Sequence, residues 1–255
     1  MKFSANLGFL WTDLSLPDAI RSAKIAGFDA VECHWPYDVP PQEVSIALAE
    51  TGFEMLGLNT PGGNVLAGDN GLTAIPGRED EARAAIDEAI AYAIVIKAVN
   101  IHAMAGISVG EKGRMAFISN LRYACEKAAP YNINILIEPL NKYDAPGYFL
   151  TTTDQAIGII NSVGLKNLKL MFDCYHVQIM EGNLKHRISK LLPHIGHIQF
   201  ASVPDRGAPG HGEVDYRNLF AEIDALGWEK PLGAEYKPVG HTEATLGWLQ
   251  SIRHL

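Results

Sequence analysis

The chain has 255 residues, of which 21 are basic and 29 acidic, so its formal net charge is −8 with histidine neutral. Nucleic-acid binding requires a basic surface, and this charge therefore argues against DNA or RNA as a partner. Hydrophobic residues make up 47% and charged residues 20%, which excludes disorder as the main state. The sequence has no apolar run of the roughly 20 residues that span a bilayer, and its first residues do not resemble a secretory signal.

Three cysteines without a CxxC pair, Cys33, Cys125 and Cys174, are typical of a protein in the reducing cytoplasm, where we expect this chain. They argue against a disulfide framework and against a thiolate zinc site. We expect a small-molecule substrate and no association with a membrane. The sequence leaves the oligomeric state open, although a homo-oligomer is compatible with it.

Short apolar runs alternate with amphipathic stretches along the whole chain. The runs are about five to seven residues long and mostly continuous, which is typical of strands buried on both faces of a parallel sheet. The predicted strands, in chain order, are residues 3–9, 30–35, 54–59, 99–104, 134–139, 168–173, 196–201 and 232–236.

Between the runs, apolar residues recur at the spacings of three and four that indicate helices, for example in segments 82–93 and 219–226. Asp215 is a candidate N-cap for the second of these segments. Several glycines stand just after helical stretches and before strands, where a left-handed helix stop is expected. These glycines are Gly27, Gly52, Gly164 and Gly227.

Eight strands that alternate with about eight helices predict an α/β fold, a single (β/α)₈ TIM barrel over residues 1–255. The alternative is an open doubly wound sheet, which normally carries a glycine-rich phosphate turn after its first strand. Residues 10–13 read Leu-Trp-Thr-Asp and therefore do not favour that alternative. The long segment 61–77 follows the third strand, and it is either a lid over the site or an ordinary surface loop.

Oxygen-bearing side chains lie at or near the carboxyl ends of the last four predicted strands. In a barrel, side chains at the carboxyl ends of the strands converge on one mouth. Buried carboxylates that face one another repel unless a cation lies between them or each pairs with its own Lys or Arg. Three carboxylates and one amide suit a hard cation, so we predict a Mg²⁺ or Mn²⁺ site rather than separate ion pairs. The four predicted ligands are Glu138, Asp173, Gln199 and Glu235.

Motifs around these residues resemble the hydroxypyruvate isomerase family, a branch of the xylose-isomerase-like TIM barrels. The most specific motifs are EPLNKYDAPGYFLT at 138–151 and DCYHVQIMEG at 173–182. One departure is the sequence IVIK at 94–97, where the family tends to have a glycine-containing turn, so we expect a local change at the exit of the third helix. Shorter matching motifs, which extend the resemblance over most of the chain, lie at 75–79, 102–106, 197–199, 209–213 and 235–238.

The resemblance implies that Glu138 and Glu235 both bind the metal and transfer protons, and that Asp173 and Gln199 complete the metal site. Ketose 3-epimerases of the same superfamily tend to have His where Gln199 stands, which favours the isomerase branch. The implied reaction interconverts hydroxypyruvate and tartronate semialdehyde through an enediolate, whose negative oxygens a metal ion stabilises while two carboxylates move the proton.

Six further residues near the predicted mouth are candidate substrate contacts. His176 either hydrogen-bonds a substrate oxygen or supports Asp173. Arg206 either binds a substrate carboxylate through its guanidinium or is an exposed loop arginine. The other four candidates, each with a structural role as its alternative, are Asp144, His102, Lys237 and Arg78.

Other activities remain as alternatives to a hydroxypyruvate isomerase. A 2-oxotetronate isomerase or a ketose 3-epimerase would use the same metal and the same glutamates. A lyase such as an inosose dehydratase would use one glutamate to protonate a departing hydroxyl. A DNA-repair endonuclease would need a histidine-rich zinc cluster and a basic groove, and a non-catalytic sugar-binding relative would not need both glutamates. The exact substrate and the physiological metal stay open.

Overall fold

Eight short strands form one parallel sheet in the computed structural model, which describes residues 1–253. The sheet has the order β2-β1-β8-β7-β6-β5-β4-β3. A parallel bridge between Val31 and Met55 joins its two edges and closes it into a barrel. The strands are β1 (Phe3–Asn6), β2 (Ala30–Glu32), β3 (Leu58–Asn59), β4 (Asn100–His102), β5 (Asn134–Ile137), β6 (Leu168–Asp173), β7 (Ile195–Phe200) and β8 (Leu232–Ala234).

Helices follow the strands, so the predicted (β/α)₈ barrel is confirmed. Strand β6 has the predicted bounds, whereas most other strands end earlier than predicted because their apolar runs continue into the loops. The prediction of one domain over 1–255 extends two residues beyond the described part. In chain order the helices are α1 (Leu16–Ile25), α2 (Pro41–Thr51), α3 (Glu79–Ile96), α4 (Gly110–Ala128), α5 (Thr153–Val163), α6 (Cys174–Met180), α7 (Leu184–Leu191), α8 (Tyr216–Ala225) and α9 (Gly247–Arg253).

The ends of the helices follow from local residue chemistry. Asp215 accepts a hydrogen bond from the Asn218 N–H and caps α8 as predicted. Helices α2 and α5 stop at Gly52 and Gly164, which adopt left-handed φ angles of 68° and 72°. Helix α3 stops instead at Lys97, which adopts φ 55° despite its side chain. The exit of the third helix therefore differs from the glycine stops of α2 and α5.

An aromatic cluster joins the first and last parts of the chain. The Phe3 ring in β1 packs edge-to-face against Phe200 in β7, with ring centroids 5.9 Å apart, and against Trp248 in α9 at 5.3 Å. This packing joins β1 and β7 to α9, the last helix that the structure describes. All three cysteines are buried and unpaired. No helix within 1–253 is long and apolar enough to cross a membrane.

Candidate active site

The four predicted metal ligands lie at the same end of the barrel. Glu138 follows β5 directly, Asp173 is the last residue of β6, Gln199 lies in β7 and Glu235 follows β8 directly. All four are at most 5% exposed. Asp173 and Gln199 are opposite each other in the pairing of β6 with β7. The alternation of strands and helices therefore brings these side chains to one mouth, because parallel strands all end there.

Three oxygen atoms of this group are buried without a hydrogen-bond partner. They are Oε1 of Glu138, Oδ2 of Asp173 and Oε1 of Gln199. The other carboxylate oxygen of Asp173 accepts the backbone N–H of Tyr175 at 2.9 Å and caps α6, which leaves Oδ2 free. Burial of an unsatisfied polar group costs about 1–3 kcal/mol, and more for a charged one. The cluster therefore requires a cation or a bound donor to satisfy it.

His176 lies beside these oxygens but makes no hydrogen bond to them. Its Nε2 is 3.5 Å from Asp173 Oδ2 and 3.9 Å from Glu138 Oε1. Its Nδ1 accepts the backbone N–H of Asn141 at 3.1 Å, so the neutral ring carries its proton on Nε2. Burial, together with Arg206, lowers the pKa of His176 to about 3 and keeps the ring neutral. Although His176 is close enough to be a ligand, this tautomer favours donation to a substrate oxygen.

Glu235 is the member of the group whose oxygens are both satisfied. Its Oε2 accepts a hydrogen bond from Arg206 Nη2 at 2.6 Å. Its Oε1 accepts from Asn6 Nδ2 at 3.0 Å and lies 2.9 Å from His34 Nε2. The same Arg206 nitrogen is 3.6 Å from Asp173 Oδ2. Arg206 therefore forms an ion pair with Glu235 and lies near Asp173, as the alternative of separate ion pairs expects. That alternative does not account for the oxygens of Glu138, Asp173 and Gln199 that have no hydrogen-bond partner.

Arg206 lies in the site, so the alternative of an exposed loop arginine is wrong. Its side chain is 12% exposed. The guanidinium carbon lies 4.8 Å and 4.9 Å from the ring centroids of Phe9 and Tyr175. Its backbone N–H donates to Ser202, and its carbonyl accepts from the Lys237 N–H at 2.7 Å. Two rings and two backbone hydrogen bonds therefore hold this cation at the mouth.

The pKa values of the three carboxyl groups are pushed apart. Burial, then the charges of Glu235 and Asp173, raises the pKa of Glu138 well above its usual range. Burial and Glu235 raise the pKa of Asp173 to about 7. Burial would also raise the pKa of Glu235, but Arg206 and His34 outweigh it and hold the value at about 2. Unequal pKa values of this kind are typical of proton-transfer pairs.

Asp144 and His102 border the same cluster. Asp144 Oδ2 accepts from the Tyr175 hydroxyl at 2.9 Å and lies 3.8 Å from Arg206 Nη1. His102 Nδ1 is 3.5 Å from Glu138 Oε2, and its Nε2 is buried without a partner. Burial lowers the pKa of His102 to about 4, so the ring is neutral. The structure thus places both predicted contacts within reach of the central residues.

The structure does not bring Arg78 together with this cluster. Its Nη1 hydrogen-bonds both carboxylate oxygens of Asp69 at 2.9 Å, and its other two nitrogens donate to Glu81. Arg78 therefore ties segment 61–77 to the first turn of α3. Lys237 is exposed at the rim, and its backbone N–H rather than its side chain reaches the site through Arg206.

Sequence reasoning missed two groups that the structure adds to the mouth. Glu32, the last residue of β2, is 3% exposed and ends an apolar run as Glu138 does. This strand-end pattern was the signal that could have identified it. His34 contacts Glu235, and its ring occupies the space that a side chain at Gly8 would need. No sequence spacing links Gly8 with His34.

Known proteins match this chain over nearly its full length. The xylose isomerase-like TIM barrel family model matches residues 20–255. The 2-oxo-tetronate isomerase of Pectobacterium atrosepticum is 40% identical over 98% of this chain and 97% of its own length. The hydroxypyruvate isomerase of Escherichia coli is 38% identical over 99% and 100%. These relatives confirm the predicted resemblance and, with it, the prediction of an isomerase.

A solved structure supports the fold in the same way. The crystal structure of AP endonuclease, family 2, from Brucella melitensis has a TM-score of 0.95 to this chain. It is 38% identical in sequence, and the match covers 98% of both chains. The barrel described above is therefore shared with a solved protein over almost its whole extent.

Proposed function

The chain belongs to the xylose isomerase-like TIM barrel family, and on this basis we propose that it is a metal-dependent isomerase of small 2-oxo acids. Its reaction would interconvert hydroxypyruvate and tartronate semialdehyde through an enediolate. One observation carries the proposal: three buried oxygens without hydrogen-bond partners, on Glu138, Asp173 and Gln199, lie at the ends of neighbouring strands. Such a group is stable only with a cation or a donor among its members.

The donor set fits a hard divalent cation such as Mg²⁺ or Mn²⁺, because it contains carboxylate and amide oxygens and no thiolate. Arg206 places one positive charge beside Glu235 and Asp173, but it leaves the free oxygens of Glu138, Asp173 and Gln199 without hydrogen-bond partners. When bound, the ion would supply positive charge to the developing enediolate oxygens. The residues that would hold it are Glu138, Asp173, Gln199 and Glu235.

Proton transfer is assigned to Glu138 and Glu235. Isomerisation removes a proton from one carbon and returns a proton to the neighbouring carbon. The two glutamates follow β5 and β8, which are separated in the sheet by β6 and β7. A substrate seated between them would face one carboxylate on each side. Each of the two carboxylates would need one oxygen for the cation and the other for proton exchange with a substrate carbon.

Substrate orientation is assigned to Arg206 and His176. The buried guanidinium, stacked between two rings, offers paired N–H groups to a carboxylate. The Nε2–H of His176 is aimed at the carboxylate cluster and can donate to the carbonyl or hydroxyl oxygen of the substrate. Asp144 and His102 border the same space and are proposed as contacts to the remaining substrate oxygens.

A second candidate substrate is 2-oxo-tetronate. It has the reacting atoms of hydroxypyruvate and one more carbon, and the Pectobacterium relative named for it is 40% identical to this chain. A DNA-repair activity is not favoured, despite the name of the Brucella protein, because the net charge is −8 and the donors are mainly oxygens. A ketose 3-epimerase would act on neutral sugars and would not need the carboxylate partner Arg206.

Metal-dependent proton exchange tests the proposal. The enzyme would be incubated in D₂O with hydroxypyruvate, 2-oxo-tetronate or a free ketohexose, together with Mg²⁺, Mn²⁺ or a chelator. We expect deuterium on the carbon beside the carbonyl of one or both acids only when metal is present, followed by NMR. Glu222→Gln, which alters an exposed ion pair with Lys185, should behave as the wild type. Exchange in the presence of chelator, or with the ketohexose alone, would contradict the proposal.

A further inference from the structure

Glu32 is a buried carboxylate at the mouth that the proposed reaction does not use. It ends β2, yet it contacts Gln199 in β7, which is three places away in the sheet order. The contact crosses the barrel interior past β8, where Gly233 leaves the space open. A Cβ at Gly233 would lie 2.7 Å from Glu32 Oε1 and 2.8 Å from Gln199 Cγ. The interior is therefore shaped to let these two side chains meet.

Four donors point at the Glu32 carboxylate. Its Oε2 accepts from Ser4 Oγ at 3.0 Å and from His197 Nε2 at 2.6 Å. Its Oε1 accepts from Asn6 Nδ2 at 3.0 Å and from Gln199 Nε2 at 2.8 Å. An ionised carboxylate can only accept hydrogen bonds, so all four partners must present their donors to it. This network saturates Glu32 and leaves it no capacity to bind a cation itself.

The same network decides which end of the Gln199 amide faces the proposed metal. A side-chain amide has one donor end and one acceptor end, and a hard cation is bound only through the oxygen. Because Glu32 takes the Nε2 end, the Oε1 end is turned away from it and is buried without any hydrogen-bond partner. Glu32 also reaches a second proposed ligand, since Asn6 Nδ2 donates to Glu235 Oε1 at 3.0 Å.

We propose that Glu32 is a positioning residue of the metal site, which locks the Gln199 amide with its oxygen toward the cation. This role rests on the proposed function, because it requires a metal held by the strand-end oxygens. It gives a physical reason for the use of an amide at position 199. The amide contributes an uncharged oxygen only as long as an acceptor behind it holds the nitrogen, and Glu32 is that acceptor. Partners behind a ligand typically change metal affinity by about 10- to 100-fold.

Two variants test whether Glu32 acts through the length of its side chain or through its charge. Glu32→Gln keeps the side-chain length, and its amide oxygen can still accept from Gln199 and Asn6 while His197 changes tautomer and Ser4 rotates. Glu32→Asp keeps the charge, but it is one methylene shorter and cannot span the barrel interior to Gln199. The Mn²⁺ dissociation constant of each purified protein would be measured by titration calorimetry, and its metal-free thermal midpoint recorded in parallel.

We expect Glu32→Asp to bind Mn²⁺ at least about tenfold more weakly than the wild type. Glu32→Gln should stay within about threefold of the wild type, by the same reasoning. Glu181→Asp is the matched control, because Glu181 is a largely buried carboxylate that holds Thr153 and Arg187 outside the site. It should lower the thermal midpoint and leave Mn²⁺ affinity unchanged, which separates loss of stability from loss of positioning.

The result that overturns the inference is equal Mn²⁺ affinity in Glu32→Asp and Glu32→Gln, or weaker binding by Glu32→Gln. Either result would mean that charge or stability, rather than reach to the amide, is what Glu32 contributes. Failure of the wild type to bind Mn²⁺ would overturn the proposed function as well. The wild-type titration therefore distinguishes failure of the metal site from failure of the positioning role.

Discussion

Glu32 and Glu138 are both buried glutamates at the carboxyl end of a parallel strand, but their surroundings are opposite. Glu32 accepts hydrogen bonds from four side chains, whereas Oε1 of Glu138 has no hydrogen-bond partner. The His197 and Gln199 interactions outweigh burial and lower the pKa of Glu32. Burial and neighbouring carboxylates raise the pKa of Glu138 well above its usual range.

The difference teaches that residue type and strand position do not by themselves assign a role. Of these two glutamates, Glu32 is surrounded by donors and is assigned a structural role, whereas Glu138 keeps a free oxygen that is available for chemistry. On the β1–β2 side of the mouth, the buried carboxylate of Glu32 has all its hydrogen-bond partners. On the β5–β6 side, Glu138 and Asp173 each have one oxygen without a partner. We expect substitutions on the two sides to have opposite effects on stability and on turnover.

The largest expected effect comes from Glu138→Gln. Loss of a proton-transfer group should reduce kcat by about 10²- to 10⁴-fold. The free energy of unfolding of the metal-free protein should not fall, because Glu138 Oε1 has no hydrogen bond to lose and a neutral amide suits a buried position whose carboxyl pKa is already raised. Turnover assays and urea unfolding in chelator would measure the two quantities.

Glu222→Gln serves as the control for Glu138→Gln, since it makes the same chemical change in an exposed ion pair on α8. It should retain wild-type kcat. If Glu138→Gln destabilised the metal-free protein by more than about 1 kcal/mol, the value of an ordinary hydrogen bond, the contrast with Glu32 would not hold.

Asn6→Asp should produce the next largest effect, and it changes the hydrogen-bond network around Glu32 on the β1–β2 side of the mouth. Asn6 Nδ2 donates to Glu32 and to Glu235, each at 3.0 Å. An aspartate there replaces a shared donor with a third buried carboxylate, which we expect to cost about 3–5 kcal/mol of unfolding free energy. Urea unfolding would measure it. Asn134→Asp, at a partly exposed position in β5, is the control and should cost far less; equal losses would mean that the network has no special role.

Arg206→Lys tests whether the cation at the mouth recognises the substrate carboxylate. Lysine keeps the charge but loses paired N–H donation and stacking between Phe9 and Tyr175. We expect kcat/KM for hydroxypyruvate to fall about 10- to 100-fold, as for loss of a charged hydrogen bond. A substrate without a carboxylate, such as dihydroxyacetone, should lose much less. An equal loss with both substrates would assign Arg206 to the carboxylate cluster alone, and Arg122→Lys is the exposed control.

The smallest effect on stability is expected from a substitution of Asp69 at the surface. Both carboxylate oxygens of Asp69 accept hydrogen bonds from Arg78. The Arg78 hydrogen bonds lower the pKa of Asp69 below its usual range. A lowered pKa stabilises the fold above the unfolded-state value, about 3.8–3.9, and this contribution is lost as the pH falls through the folded-state value. Asp69→Asn should therefore lower the free energy of unfolding near pH 6 by less than about 1 kcal/mol, seen as a slightly lower thermal midpoint. The difference from the wild type should shrink toward pH 3, and a difference that grows in acid would contradict this sign.

The fold was predictable because the apolar runs are regular. Strand β6 was predicted with its observed bounds, whereas the prediction of 3–9 for β1 was too long. Leu7, inside the predicted strand, is buried in the hydrophobic core but belongs to the loop after β1. Periodicity reports burial, and buried loop residues extend an apolar run beyond the last ladder hydrogen bond.

A site residue was predictable where a polar side chain stands at the carboxyl end of an apolar strand. Asp173 ends both its apolar run and its predicted strand, whereas Glu32 was missed because the predicted strand 30–35 placed it in mid-strand, although the strand ends there. The stacking of Arg206 between Phe9 and Tyr175 joins three distant parts of the chain. Arg78 was a candidate substrate contact because it directly follows the long segment 61–77, but its partner Asp69 could not be identified by spacing.

The approach of His34 to Gly8 has a consequence for any attempt to diversify this barrel. The imidazole lies where every other residue type at position 8 would put its first side-chain carbon. The two positions must therefore be randomised as a pair, since a library that varies position 8 alone would displace the ring from Glu235. Transfer of the first loop from a homologue should likewise carry over that homologue's own residue at position 34.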